Sequence, residues 1–258
     1  DPGRTLFVAV SKSGETIETR AFLDFFWARH PEGEDFVAIT DPGTALHALA
    51  TERGFRAVFL NPPEVGGRFS ALTYPGLVPA ALAGLELDVL ARHARAMERA
   101  CRRSDLAQNP GARLAAVLAQ VEREDNGTLF IETDDRLEGF DDWLSQLIAE
   151  STGKTGRGVL PVRSGRGASY GPGDVVFLVG DGNAARAAAI EAQGAFAVRC
   201  AFGERHAIAA EMLRWEFGVA LGCALMEVNA FDEPDVASAK RATNAVLAGN
   251  TSEDAREN

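Results

Sequence analysis

The chain has 258 residues, 46% of them hydrophobic and 24% charged, the composition of a globular protein with room for one large or two modest domains. A formal charge of −11 argues against a binder of nucleic-acid backbones, which needs a basic face. The most apolar stretch, residues 72–91, is interrupted by Pro75, Pro79, Glu86 and Asp88, so no run reaches the roughly 20 apolar residues of a membrane span. Three cysteines, Cys101, Cys200 and Cys223, are odd in number and lack metal-ligand spacing, which reads as free thiols in a reducing compartment. With no basic segment followed by an apolar one at the start, the expected location is the cytoplasm.

Short continuous apolar runs alternate with helix-period segments. Strands are predicted at residues 5–10, 36–40 and 57–60, with helices at 16–30 and 44–53 between them. Helices then dominate residues 70–124, with a break at 104–111 marked by Asn109-Pro-Gly. Alternation resumes with strands at 128–132, 158–162, 175–179 and 195–200. Helices are predicted at 138–151, 184–193, 207–225 and 234–247, and a Gly/Ser/Arg-rich loop at 163–173. Unbroken apolar strands separated by helices indicate parallel sheets covered on both faces. The reading is an α/β chain of two parallel-sheet units. The first, residues 1–103, shows three strands where four to six are usual and so looks incomplete at its N-terminal side. The second covers residues 104–248, and residues 249–258 form a polar, disordered tail.

Basic residues are almost all arginine: 23 against three lysines. Each of those three, Lys12, Lys154 and Lys240, falls in a motif-like segment, and an ammonium is not replaceable by a guanidinium where shape matters. The segment Ser11-Lys-Ser-Gly-Glu-Thr-Ile-Glu-Thr19 lies directly after a strand and opens a helix. That places Ser11, Lys12, Ser13 and Thr16 at a carboxyl edge, where helix amides and the positive end of the dipole favour a phosphate. The plainer reading of the hydroxyls is a helix cap; Lys12 beside them favours the anion site. The pattern is not a Walker loop, so no nucleotide is implied.

This segment is similar to the phosphate loop of sugar isomerase (SIS) domains in bacterial phosphoglucose isomerases. Three more segments resemble that family in its order: Val65-Gly-Gly-Arg-Phe-Ser70 followed by Gly76-Leu-Val-Pro79; Gln146 to Lys154 with its Glu-Ser-Thr-Gly-Lys; and Val228-Asn-Ala-Phe-Asp-Glu-Pro-Asp-Val236 leading to Lys240. The wording is closest to the isomerase half of fused transaldolase/phosphoglucose isomerases. The resemblance implies two SIS-type, flavodoxin-like units and an aldose–ketose isomerase acting on glucose 6-phosphate and fructose 6-phosphate. The chain would be part of a longer protein, with a transaldolase domain upstream as one expectation.

By this resemblance Glu150 is the base that moves a proton between two carbons, a task for a positioned carboxylate. Arg68 stabilises the enediolate charge, and Lys240 assists ring opening. Ser11, Lys12, Ser13 and Thr16 hold the phosphate, with Gln146 near that end of the sugar, and Lys154 is structural. A homodimer is expected; no cofactor, no metal, no membrane and no nucleic acid are.

Some positions depart from the pattern. None of His30, His47, His93 and His206 lies between the strands at 175–179 and 195–200, where the ring-opening histidine is expected. Glu15 and Glu233 stand where the family has Thr and Gln, and a carboxylate about 4 Å from a phosphate costs about 1–4 kcal/mol. The family's N-terminal glycine-rich Gly-Gly-Ser segment, which also lines the sugar site, is expected before residue 1. A non-catalytic sugar-phosphate-binding module is therefore the alternative.

Overall fold

The computed structural model describes residues 1–124, 127–134, 137, 139–154, 156–165, 167–180, 183–200, 203–232 and 243. The expected helix at 234–247, Lys240, Glu233 and the tail fall outside them, Thr243 excepted. The chain divides into two compact units, Asp1–Arg99 with Phe202–Arg214, and Ala100–Ala201 with Trp215–Asn258. Among the described residues no helix is long and apolar enough to cross a membrane.

The first unit is built on three parallel strands, β1 (Phe7–Val10), β2 (Phe36–Thr40) and β3 (Ala57–Leu60), in the order β1-β2-β3. All five residues of β2 are buried. Successive strand residues face opposite sides, so both faces of the sheet are covered. On one face, Phe36 and Ala38 meet Leu23 of helix α1 (Ile17–Trp27) and Leu46 and Ala50 of α2 (Ala45–Glu52). Phe36 is the aromatic centre, with ring centroids 4.7 Å from Phe7, 5.3 Å from Trp27 and 5.2 Å from Phe55. Two helices follow, α3 (Tyr74–Leu82), which carries Pro75 in its first turn, and α4 (Leu87–Cys101). Gly76 is required by packing, since a Cβ there would lie 1.9 Å from the Ala71 carbonyl oxygen.

The second unit opens with α5 (Pro110–Arg123). The Asn109-Pro-Gly break is its start: Asn109 accepts from the Ala112 amide at 2.9 Å and donates to the Cys101 carbonyl at 2.6 Å, and proline suits the first helical position. Four parallel strands follow, β4 (Thr128–Thr133), β5 (Leu160–Arg163), β6 (Val175–Val179) and β7 (Phe196–Cys200), in the order β5-β4-β6-β7. All seven expected strands therefore form, with starts within two residues of expectation. One face packs on α7 (Ala184–Glu191) through Val176, Leu178, Ala187 and Ile190. On the other, Phe177 lies 4.9 Å from Trp215 of α8 (Ile208–Leu225). Helix α6 (Phe140–Thr152) connects β4 to β5 and buries Phe140, Leu144, Leu147, Ile148 and Ser151, a stripe at helical spacing.

Candidate active site

In the first unit the turn after β1 is closed by its own hydroxyls. Ser11 is buried; its Oγ lies 2.8 Å from Thr16 Oγ1 and accepts the Thr16 amide at 3.4 Å. Ser13 is exposed and accepts the Glu15 amide at 3.3 Å. Thr16 is the N-cap of α1 without making a side-chain capping bond, so the leading amides of α1, which have no partner within a helix, stand at the carboxyl edge of the sheet. Gly14 makes the close approach that sets the turn. Its φ is +69°, and a Cβ would come within 2.7 Å of Thr44 Cβ and 2.9 Å of the Leu46 nitrogen. Glu15 is exposed.

Lys12 is engaged within the unit. Its ammonium pairs with Asp41, just after β2, and donates to the Pro63 carbonyl at 2.8 Å, just after β3. One side chain thus ties together the turns at the carboxyl ends of all three strands.

Arg68 sits in a 3-10 turn, Gly67–Phe69, and is only 4% exposed. The turn is held by the Phe69 amide on the Gly66 carbonyl at 3.0 Å and by Ser70 Oγ on the Gly67 carbonyl at 2.7 Å. Neither Gly66 nor Gly67 has a positive φ, and a Cβ at either would meet nothing within 4 Å. The fold of the chain itself does not require glycine at these two positions.

In the second unit Gln146 and Glu150 lie one turn apart on α6, on the side away from its buried stripe. Gln146 Nε2 donates to Glu150 Oε1 at 3.1 Å. The rest of the signature completes the helix end. Thr152 Oγ1 donates to the Ile148 carbonyl at 2.8 Å and accepts the Val159 amide at 2.9 Å. Gly153 fits where a Cβ would be 2.6 Å from the Ala149 oxygen. Lys154, 6% exposed, donates to the carbonyls of Glu150 at 2.7 Å, Ser151 at 3.3 Å and Asp232 at 3.1 Å, and its ammonium lies 3.2 Å from the Asp232 carboxylate. An ammonium at the last carbonyls satisfies groups a helix leaves orphaned and opposes the negative end of its dipole.

The segment that reads Val228-Asn-Ala-Phe-Asp232 makes an Asx turn, with Asn229 Oδ1 accepting the Phe231 amide at 3.0 Å. Lys240 and Glu233 lie beyond the described residues. His206 is tied within the first unit, where its Nε2 accepts the Glu86 amide at 3.3 Å, leaving Nδ1 4.0 Å from Glu204.

Two features have no sequence signature. Glu132, buried near the end of β4, receives a forked pair from Arg186 Nε at 3.0 Å and Nη2 at 2.5 Å, and the Tyr170 hydroxyl at 2.5 Å. Arg186 also holds the Ala168 carbonyl at 2.9 Å, so the Gly/Ser/Arg-rich loop is fastened to the sheet. Burial first, and then the bond to Glu132, push the Tyr170 phenol above its ordinary value. Elsewhere Glu211, in the first unit, has its carboxyl pushed up by burial against the opposing attraction of Arg214.

A scan against models of protein families finds none that matches. The chain is 38% identical over 162 residues to the glucose-6-phosphate isomerase of Carboxydothermus hydrogenoformans, covering 60% of this chain and 35% of that protein. It is 42% identical over 165 residues to that of Thermus thermophilus, covering 61% and 39%. Among solved structures, a hypothetical protein of Thermus thermophilus superposes with a TM-score of 0.85 at 29% identity, over 96% of this chain and 73% of that one. A glucose-6-phosphate isomerase of Chlamydia trachomatis superposes with a TM-score of 0.82 at 18% identity, over 96% and 60%, a likeness of fold. The chain spans 35 to 39% of the length of these curated relatives, and over about 60% of its own length it is a homologue of glucose-6-phosphate isomerases.

Proposed function

We propose that this chain is part of an aldose–ketose isomerase that interconverts glucose 6-phosphate and fructose 6-phosphate. The reading is carried by the end of α6, where the Glu150 carboxylate is held by Gln146 on a helix terminus fixed by buried Lys154. Glu150 takes the proton from one of the two adjacent carbons and returns it to the other, through an enediolate. Its roughly 10²- to 10⁴-fold contribution would be that of a positioned general base. Arg68 offsets the enediolate charge. The open space beside Gly66 and Gly67 suits a ligand approaching that backbone closely. Ser11, Lys12, Ser13 and Thr16, with the first amides of α1, hold the phosphate, and Gln146 orients Glu150 and the sugar. Lys240 assists ring opening. The protein acts as a cytoplasmic homodimer of longer chains, without cofactor or metal.

The pairing of Lys12 with Asp41 favours a second reading, a sugar-phosphate-binding module without catalysis. A coupled assay that converts fructose 6-phosphate to glucose 6-phosphate separates the two. Turnover by the full-length protein is expected; binding of fructose 6-phosphate with no turnover above background sinks the enzyme reading.

A further inference from the structure

We propose that Asp41 is a positioning residue that sets the anion affinity of the Ser11–Thr16 turn by competing with the phosphate for Lys12. The inference rests on reading that turn as the phosphate loop and names the group that regulates it.

Asp41 and Lys12 sit on adjacent turns at the carboxyl edge of the first sheet. The Asp41 amide bonds the Lys12 carbonyl at 3.2 Å, and the Thr40 hydroxyl donates to the same oxygen at 3.4 Å. The backbone therefore holds the two side chains at fixed range. One carboxylate oxygen of Asp41 takes the Lys12 ammonium. Its other oxygen, Oδ1, is buried and has no hydrogen-bond partner. A buried acceptor left unpaired is costly, more so when charged, so Asp41 depends on Lys12 for nearly all of its local stabilisation.

Lys12 has three N–H bonds, and Asp41 and Pro63 take two. An incoming phosphate meets a lysine whose charge is already offset, beside a carboxylate that repels it. With one N–H left, the ammonium pairs fully with a phosphate only by giving up part of its pairing with Asp41. The hydroxyls of Ser11, Ser13 and Thr16 carry no such penalty. Affinity is thus set by the difference between two anions at one cation, and Asp41 lowers it.

The test measures binding of inorganic phosphate and of fructose 6-phosphate by calorimetry to the wild-type chain, Asp41→Asn, Lys12→Ala and the double variant. Asp41→Asn keeps the shape and removes the charge. It should tighten phosphate binding about fivefold, the scale of a partly exposed ion pair. In the Lys12→Ala background the same change should tighten binding clearly less, because there is no ammonium left to contest and only the direct repulsion between carboxylate and phosphate remains. Asp41→Ser gives the same expectation if the asparagine variant unfolds. An unchanged affinity in Asp41→Asn overturns the inference, as does equal tightening with and without Lys12, which would reflect a general field. If Lys12→Ala weakens binding while Asp41→Asn changes nothing, only the role of Asp41 is lost. If neither Lys12→Ala nor Asp41→Asn alters phosphate binding, the phosphate-loop reading falls with it.

Discussion

The turn after β1 and the end of α6 both carry a serine, a threonine, a glycine and a lysine in a short signature, yet they use them differently. At the end of α6 Ser151, Thr152 and Lys154 are buried, and Thr152 and Lys154 are spent on carbonyls and an amide of the unit itself. Gln146 and Glu150 keep to the outer side of the helix. After β1 the hydroxyls bond one another and nearby amides, Ser13 is exposed, and Lys12 remains one-third exposed beside Asp41. Each signature therefore mixes residues spent on the fold with residues left facing outward. Burial and partners separate them where spelling does not.

The sharpest test of that division is Glu150→Gln. Loss of the base should lower kcat by about 10²- to 10⁴-fold, while binding of fructose 6-phosphate, followed by calorimetry, stays within a few-fold. A variant that loses binding or thermal stability instead would put Glu150 among the residues spent on the fold. Lys154→Met comes next. It strips a charged donor from three carbonyls, and urea unfolding should show a loss of about 2–4 kcal/mol; unchanged stability would break the contrast with Lys12.

Smaller effects should separate the hydroxyls. Thr152→Val leaves the buried Val159 amide without its acceptor and should cost about 1–3 kcal/mol. Ser13→Ala should stay within about 0.5 kcal/mol of wild type, as surface changes do, and weaken phosphate binding. The reverse pattern of stabilities would erase the distinction.

The last test uses the buried carboxylate that a search by shifted acidity would choose. Perturbed groups often mark active sites, but Glu211 is perturbed by burial beside Arg214. Its folded-state pKa lies above the ordinary 4.5, so between those two values the folded chain holds more protons than the unfolded one. Stability from this group is fully present below 4.5 and falls as pH rises through the folded value. Glu211→Gln should flatten that part of the pH–stability profile and leave turnover unchanged; an altered turnover would make Glu211 part of the chemistry.

The strands were legible because a parallel sheet buried on both faces spells itself as unbroken apolar runs, as in Phe36–Thr40. The start of α5 was legible from Asn109-Pro-Gly. Helix ends were less so: α1 stops at Trp27 where periodicity continued to residue 30, because apolar spacing does not mark where hydrogen bonding ends. The return of Phe202–Arg214 to the first unit leaves no trace in local pattern. Of the site, the residues at each signature were readable but their partners were not. Asp41 is 29 positions from Lys12 and Glu132 is 54 from Arg186, and long-range pairs have no period. Lys12 and Lys154 each tie their surroundings together through the ammonium, contacts that their scarcity in the sequence does not reveal.

Lys154 also dictates an order of events during synthesis. Its bond to the Asp232 carbonyl joins residues 78 positions apart, a separation that makes closure late in folding. Helix α6 emerges from the ribosome well before the segment that finishes it, and chains grow at about 5–20 residues per second. For several seconds Lys154 has been made while the Asp232 carbonyl it binds has not. The bond that fastens the end of α6, the helix bearing Glu150 and Gln146, to the segment ending at Asp232 can therefore form only once that later segment has been made.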